Sequence, residues 1–342
     1  VYLKPLEHQI YRGIQKVWRS RTPIVFKGLN VVEMASALIS KWSEFENPVA
    51  IGLDAVKFDM HVSEAMLRWE HSVYLSVYNH DAELAKLLEW QIHNQGRGYC
   101  DDGSLRYAVR GRRFSGDMNT ATGNCLIMTA MVHSYVTKLG IKAQLLNNGD
   151  DCVVILEKGN TPIFSLHLEA HFREFGFRLT VDSVVDRVEK IKFCQMQPVI
   201  SGNEYRFVRS IDASREKDSI ALLDIRSKSA YEKWIYAVGE GGLALCAGVP
   251  VMQSMYMAYM RFGRPSSIAN ALQMQCGAMF LRVRLIGRQE VITCAARVSF
   301  WEAFGLSPDE QIALEEYYDQ LDLSWRGFEE VDTLLEINTS PY

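Results

Sequence analysis

The sequence predicts an α+β fold, on three observations. Two apolar runs, residues 141–146 and 152–156, flank Asn147-Asn148-Gly149-Asp150-Asp151 and read as the strands of an antiparallel hairpin. Asn148-Gly149 is a pair that supplies the positive φ a tight hairpin needs. A third apolar run, from Pro48 into Asp54, reads as another strand. Helix-like text covers residues 125–139, which Gly140 would end, and recurs beyond about residue 200 in runs such as 231–238 and 309–323.

At 342 residues, 48% of them hydrophobic, the chain can bury the core of one large or two ordinary domains, which excludes a disordered tail. It opens Val1-Tyr2-Leu3-Lys4-Pro5, with neither the basic-then-apolar layout of a signal peptide nor the composition of a transit peptide. A piece of a longer product is expected. The seven cysteines (Cys100, Cys125, Cys152, Cys194, Cys246, Cys276, Cys294) are scattered, odd in number and without a Cys-x-x-Cys. Reduced thiols in an intracellular setting are expected, rather than a disulfide framework or a structural zinc site. The uncharged stretch 241–260 has the length of a membrane span, but Pro250, the surrounding glycines and alanines, Gln253 and Ser254 point to a buried loop and a Met-rich helix. The text shows no internal repeat and no low-complexity tract.

Charge is unevenly divided. Residues 301–342 carry eleven acids against Arg326, a net of −10, so the overall −4 leaves +6 for the first 300 residues. Basic residues gather at Lys4, Arg12, Lys16, Arg19, Arg21 and Lys27, and again at Arg106, Arg110, Arg112 and Arg113. Such clusters suit a polyanion or a solvated face equally well.

Three segments carry candidate chemistry. Asp54 ends the first strand and Asp59 follows five positions on, ahead of Val62, Ala65, Met66, Trp69 and Val73 at helical spacing. Alone, Asp54 is a strand-end turn residue and Asp59 a helix N-cap. Ser115-Gly116-Asp117-Met118-Asn119-Thr120-Ala121-Thr122-Gly123-Asn124 leads into the long helix. Thr120 and Asn124 share a face, and Gly123 beside them leaves a flat hydrogen-bonding surface that suits a small polar ligand, although Ser and Asn there also cap helices. Gly149-Asp150-Asp151 displays two carboxylates at a hairpin tip, a place to hold a divalent metal or simply an acidic solvated turn. His167-Leu168-Glu169-Ala170-His171 puts two histidines four apart, as on a zinc-protease helix, but its Glu falls one place late and points away, so an ordinary helix surface is expected.

In their order and spacing, 61 positions from Asp54 to Ser115 and 26 from Asn124 to Asp150, these segments resemble motifs A, B and C in the palm of positive-strand viral RNA-dependent RNA polymerases. Tyr2-Leu3-Lys4-Pro5-Leu6-Glu7-His8-Gln9-Ile10-Tyr11, Phe26-Lys27-Gly28, Ser115-Gly116-Asp117-Met118-Asn119-Thr120 and Phe193-Cys194-Gln195 resemble the plant tombusvirus and carmovirus group (Tombusviridae). The likeness covers most of the chain and is loose after about residue 210.

The resemblance implies a right-hand polymerase: partial fingers over 1–47, a palm over 48–199 with a fingers insertion at about 64–113, and a helical thumb over 200–342. It implies template-directed RNA synthesis from NTPs, with Mg²⁺, or Mn²⁺ in its place, on Asp54, Asp150 and Asp151. Asp59 and Asn124 would read the 2′-hydroxyl, with Ser115, Gly116 and Thr120 arranging the nucleotide site. Lys27, Arg106, Arg110, Arg112 and Arg113 would meet RNA phosphates. The general acid stays open among Arg178, Lys190 and Lys192. Phe193-Cys194-Gln195 resembles motif E, which supports the primer strand. The basic motif F that grips the triphosphate lies upstream in the family, so the chain is expected to begin just after it, as the C-terminal part of such an enzyme. Expected partners are template and product RNA, NTPs, a viral auxiliary replication protein and host factors, at membrane-associated replication complexes in the host cytoplasm, with no transmembrane segment in this piece. Two rival readings remain: a reverse transcriptase-like nucleotidyl transferase, and a non-catalytic RNA-binding module lacking motif F.

Overall fold

A computed structural model describes residues 2–221, 225–266 and 284–327. Helices and antiparallel sheets alternate through it, as the α+β expectation requires. The chain divides into two compact units, one of residues 1–27 and 36–195, the other of residues 28–35 and 196–342. The sequence reading expects three regions, with a break at 199/200. Here residues 1–27 share a unit with the first strand, and the break falls at 195/196.

The first unit is built on a four-stranded sheet. β1 (Pro48–Ala55) is central, pairing antiparallel with the hairpin strand described below and with a short edge strand. Helix α1 (Glu7–Val17) precedes it and buries Ile10 and Ile14, one turn apart on its apolar stripe. Helix α2 (Val31–Trp42) follows, with residues from Ser36 on in this unit. After β1 come the one-turn α3 (Phe58–His61), α4 (Glu64–Val77) and α5 (Ala82–Trp90). Ser63 caps α4 by accepting from the Met66 N–H (3.3 Å), so the capping role that sequence assigned to Asp59 belongs to Ser63.

β2 (His93–Cys100) and β3 (Gly103–Arg110) then form a separate, largely exposed ribbon. The 20-residue α6 (Thr120–Leu139) starts five residues earlier than expected, and it ends at Gly140 with φ +65 as foreseen. β4 (Ala143–Asn147) and β5 (Asp151–Glu157) make the predicted hairpin. α7 (Thr161–Leu166), α8 (Leu168–Glu174) and the edge strand β6 (Leu179–Val181) complete the unit.

Strand alternation sorts the sheet's two faces. Val49, Ile51, Leu53 and Ala55 of β1, with Cys152, Val154 and Leu156 of β5, pack into one core with α1, α4, α6 and α8. Gly52 and Asp54 therefore lie on the opposite face.

The second unit holds the hairpin β7 (Met196–Ser201) and β8 (Glu204–Arg209), then α9 (Ile211–Asp218), α10 (Lys228–Cys246), α11 (Met252–Arg261), α12 (Cys294–Phe304) and α13 (Pro308–Gln320). The uncharged stretch 241–260 is the buried end of α10, a loop through Pro250, and the Met-rich α11, whose Tyr256 ring lies against Gly242. Among the described residues no helix is long and apolar enough to cross a membrane.

Candidate active site

Three carboxylates lie near one another where β1 ends and the β4–β5 hairpin turns. Asp54 of β1 and Asp151 of β5 are direct register partners, so their side chains leave the sheet on the same face, away from the helical core. Asp150 sits exposed at the tip of the turn, next to Asp151. The Asn148 N–H donates to the Asp151 carbonyl (2.9 Å), which makes Gly149 and Asp150 the two turn residues. Only Gly149 takes positive φ (+109), so the turn lies one residue later than the Asn148-Gly149 pairing expected from sequence.

The turn is braced from behind by Asn147, which sequence reading passed over. Its fully buried side chain donates from Nδ2 to the Gly149 carbonyl (2.7 Å) and accepts at Oδ1 from the Gly149 N–H (3.1 Å). Its backbone is pinned as well, donating to the Ile24 carbonyl and accepting from the Phe26 N–H, both at 2.9 Å. The signal was an Asx residue two places before a glycine.

Burial raises the Asp54 carboxyl, and the charges of Asp150 and Asp182 raise it further. Asp182, another residue that sequence did not single out, accompanies the edge strand β6: its N–H donates to the Gly52 carbonyl (2.9 Å) and its carboxylate lies over Gly52. Asp151 is raised first by burial and then by Asp150 and Asp54, against the lowering effect of the Cys194 N–H that donates to its Oδ2 (2.7 Å). Cys194, in Phe193-Cys194-Gln195, adopts φ +53, and its Sγ accepts from Asn148 Nδ2 (3.0 Å). Negative charge is thus concentrated at the turn.

Among the described residues no three His, Cys, Asp or Glu side chains converge as they stand on one ion. The donor set is nonetheless hard oxygen from two strands and a turn, and its mutual repulsion is what a divalent cation relieves. The set fits such an ion.

A second cluster lies five residues beyond Asp54. Asp59, on α3, accepts from Asn124 Nδ2 at Oδ1 (2.7 Å) and from the Ser115 hydroxyl at Oδ2. Asp59 is half-buried, Ser115 exposed and Asn124 buried, so Asp59 and Ser115 present the cluster to solvent with Asn124 behind them. Thr120 turns its hydroxyl to the Phe114 carbonyl (2.8 Å) and braces the loop that carries Ser115 and Gly116, where Gly116 takes φ +98.

Gly123 does not leave an open face. A Cβ there would collide with Arg113 Nη2 and the Glu70 carboxylate, because the Arg113–Glu70 ion pair fills that space with both side chains buried. Arg113 therefore cannot serve as a phosphate contact: it faces inward, held by a buried anion. Glu70 was readable in sequence as a charge at helical spacing between Leu67 and Tyr74, both buried.

The other basic candidates fall in two places. Arg106 and Arg110 lie exposed on the β2–β3 ribbon, Arg110 in a two-pronged pair with Glu64, and Arg112 is exposed just after it. Lys27 stands instead at the carboxylate turn, its Nζ 4.0 Å from where a Cβ on Gly149 would be. Of the three general-acid candidates, Lys190 and Lys192 line a cavity of about 280 Å³ with Gly52 and Asp182, and Arg178 is bonded through its carbonyl to the Val56 N–H (2.9 Å). His171 is no surface residue: it is buried, with Nε2 at 3.0 Å from Ser134 Oγ, and His167 precedes α8 rather than sharing it. The six described cysteines are free, while Cys276 lies outside the described residues.

A carboxylate pair on facing strands, a glycine-led acidic turn and a polar cluster at a helix start thus all lie within the first unit. Residues 1–326 match the family described as viral RNA dependent RNA polymerase, and the chain belongs to it. Among its relatives, the RNA-directed RNA polymerase of Maize chlorotic mottle virus is 42% identical over 318 residues, covering 93% of this chain and 33% of that protein. That of Melon necrotic spot virus is 42% identical over 330 residues, 96% of this chain and 41% of that protein. That of Turnip crinkle virus is 41% identical over 327 residues, 94% of this chain and 41% of that protein. The chain thus spans about a third to two fifths of the length of these relatives.

Proposed function

We propose that this chain carries the catalytic palm of a template-directed RNA polymerase, which joins an RNA 3′-hydroxyl to the α-phosphorus of an incoming NTP and releases pyrophosphate. The observation that carries the reading is the register pairing of Asp54 with Asp151 beside Asp150, together with the bonding of Asp59, five residues after Asp54, to Asn124 and Ser115. Two divalent cations, Mg²⁺ or Mn²⁺, held by Asp54, Asp150 and Asp151, would favour the ionised 3′-hydroxyl and neutralise the leaving pyrophosphate.

The protein's own residues supply position. β1 and β5 hold Asp54 and Asp151 at fixed register, and Asn147 and the Cys194 N–H fix the turn and the Asp151 carboxylate. Asp59, with its two donors in place, keeps carboxylate lone pairs for a ribose 2′-hydroxyl, and a deoxyribose offers nothing in return. That favours ribonucleotides over the reverse-transcriptase reading. Residues 48–195 serve as the palm, the ribbon of residues 93–110 as a fingers insertion, and the helices after residue 210 as the thumb. Arg106 and Arg110 meet RNA phosphates from the ribbon, Arg112 from just beyond it, and Lys27 meets the strand end at the turn. On family grounds the working protein engages template and product RNA, NTPs, a viral auxiliary protein and host factors, at replication complexes on host cytoplasmic membranes.

Primer extension with the full-length chain tests the reading. Asp150→Ala should abolish nucleotide incorporation and leave RNA affinity nearly unchanged. RNA synthesis by that variant would overturn it.

A further inference from the structure

The Glu70–Arg113 pair has no place in the chemistry above, although it is among the most deeply buried charge pairs in the first unit: the Glu70 side chain is 0% exposed and that of Arg113 1%. Burying two charges is costly unless every polar atom is matched. Here the matching is extensive. Glu70 Oε1 accepts from Tyr74 Oη (2.7 Å) and Asn119 Nδ2 (2.7 Å), and Glu70 Oε2 pairs with Arg113 Nη2. Asn119 Oδ1 in turn accepts from Gln91 Nε2 (2.8 Å).

Toward the Asp59 cluster, Arg113 extends this network by one directed bond. Arg113 Nε donates to Asn124 Oδ1 (3.1 Å), and Asn124 Nδ2 donates to Asp59 Oδ1 (2.7 Å). A guanidinium only donates and a carboxylate only accepts. An amide between them satisfies both in one orientation alone, oxygen toward Arg113 and nitrogen toward Asp59. The flipped amide would set oxygen against the Asp59 carboxylate and NH₂ against the Arg113 N–H, losing both bonds and adding two repulsions.

We propose that Arg113, held by Glu70, is a positioning residue for sugar selection: it locks the Asn124 amide so that Asp59 keeps the geometry that tells a ribose from a deoxyribose. The proposal rests on the assignment of Asp59 and Asn124 to the 2′-hydroxyl. Gly123 belongs to the same device, since any larger residue there would push the pair off Asn124.

The test is the ratio of ribonucleotide to 2′-deoxyribonucleotide incorporation by the full-length chain on a primed RNA template. Both substrates meet the same folded fraction of enzyme, so a loss of stability alone does not move the ratio. Arg113→Lys keeps a cation for Glu70 but has no Nε–H to offer Asn124. It should lower discrimination by about ten-fold, the scale of one charge-assisted hydrogen bond. Asn124→Ala is the reference. If Asn124→Ala lowers discrimination and Arg113→Lys does not, the pair is structural and the positioning role is wrong. If Asn124→Ala leaves discrimination unchanged, the sugar-reading assignment itself falls, and this inference with it. Should Arg113→Lys fail to fold, Glu70→Gln combined with Arg113→Gln removes both charges together and is read by the same ratio.

Discussion

Asp54 and Asp151 face each other as register partners across β1 and β5, and each carboxyl is raised by burial and by neighbouring negative charge. A carboxyl raised on folding contributes stability that is full below about pH 4 and is lost as the pH climbs through its folded value. In a chelating buffer at neutral pH, Asp54→Asn should therefore melt higher than the parent chain. Added Mg²⁺ or Mn²⁺ should raise the parent's midpoint and do little for the variant. Thermal melts with and without the cation check this, and equal cation shifts in the two proteins would sink the metal assignment.

Asn147 predicts a separate effect at the same turn. Asn147→Ala strips two hydrogen bonds from Gly149 in a buried setting. The expected cost is about 2–4 kcal/mol, since two backbone groups lose their partner away from water. Urea unfolding measures it. Incorporation should also fall in variant protein that remains folded, because the loop that holds Asp150 loses its brace.

The strands, the long helix, the hairpin and its acids were legible because each depends on local pattern: alternation, helical spacing and turn chemistry. Asp59, Ser115 and Asn124 were legible as a set only through the resemblance, and the structure brings them into direct contact. What escaped was long-range. Nothing local says that Arg113 turns inward, since its partner Glu70 lies 43 positions away, and its neighbours Arg110 and Arg112 do face solvent. Gly123 read as an empty face for the same reason: what fills the space comes from Glu70 on α4 and from Arg113 in the loop before α6. Asp182 reaches the site through pairing of an edge strand only three residues long, too short to show a period.

Gly123→Ala reverses an ordinary rule. In an open helix interior the change gains up to about 1 kcal/mol. Within α6 the new methyl would meet Arg113 and Glu70, so the protein should instead lose about 1–3 kcal/mol, the usual penalty of overpacking. Chemical denaturation decides the sign, and a stabilised variant would mean that the ion pair is not where the structure puts it.

Lys41 gives the first unit a pH-dependent stability of its own. It is fully buried on α2, with Nζ donating to Ser20 Oγ (2.9 Å), Gln144 Oε1 (3.2 Å) and the Thr22 carbonyl (3.5 Å). Burial lowers its pKa from 10.5 to about 7, against the opposing pull of Glu44. Below about pH 7 the lysine is charged in both states and its burial penalty is complete. Between there and its unfolded value, the unfolded chain binds more protons than the folded one, so stability from this group rises with pH, by at most about 1.4 kcal/mol per pH unit. Lys41→Met removes the titration along with the hydrogen bonds, of which the ammonium donates three and the neutral amine at most two. The difference in unfolding free energy between parent and variant should be flat from about pH 6 to about pH 7 and then grow in the parent's favour toward about pH 9. A difference that stays level across the whole range would show that Lys41 keeps its proton in the folded protein, with Ser20, Gln144 and the Thr22 carbonyl solvating the ammonium as well as water does.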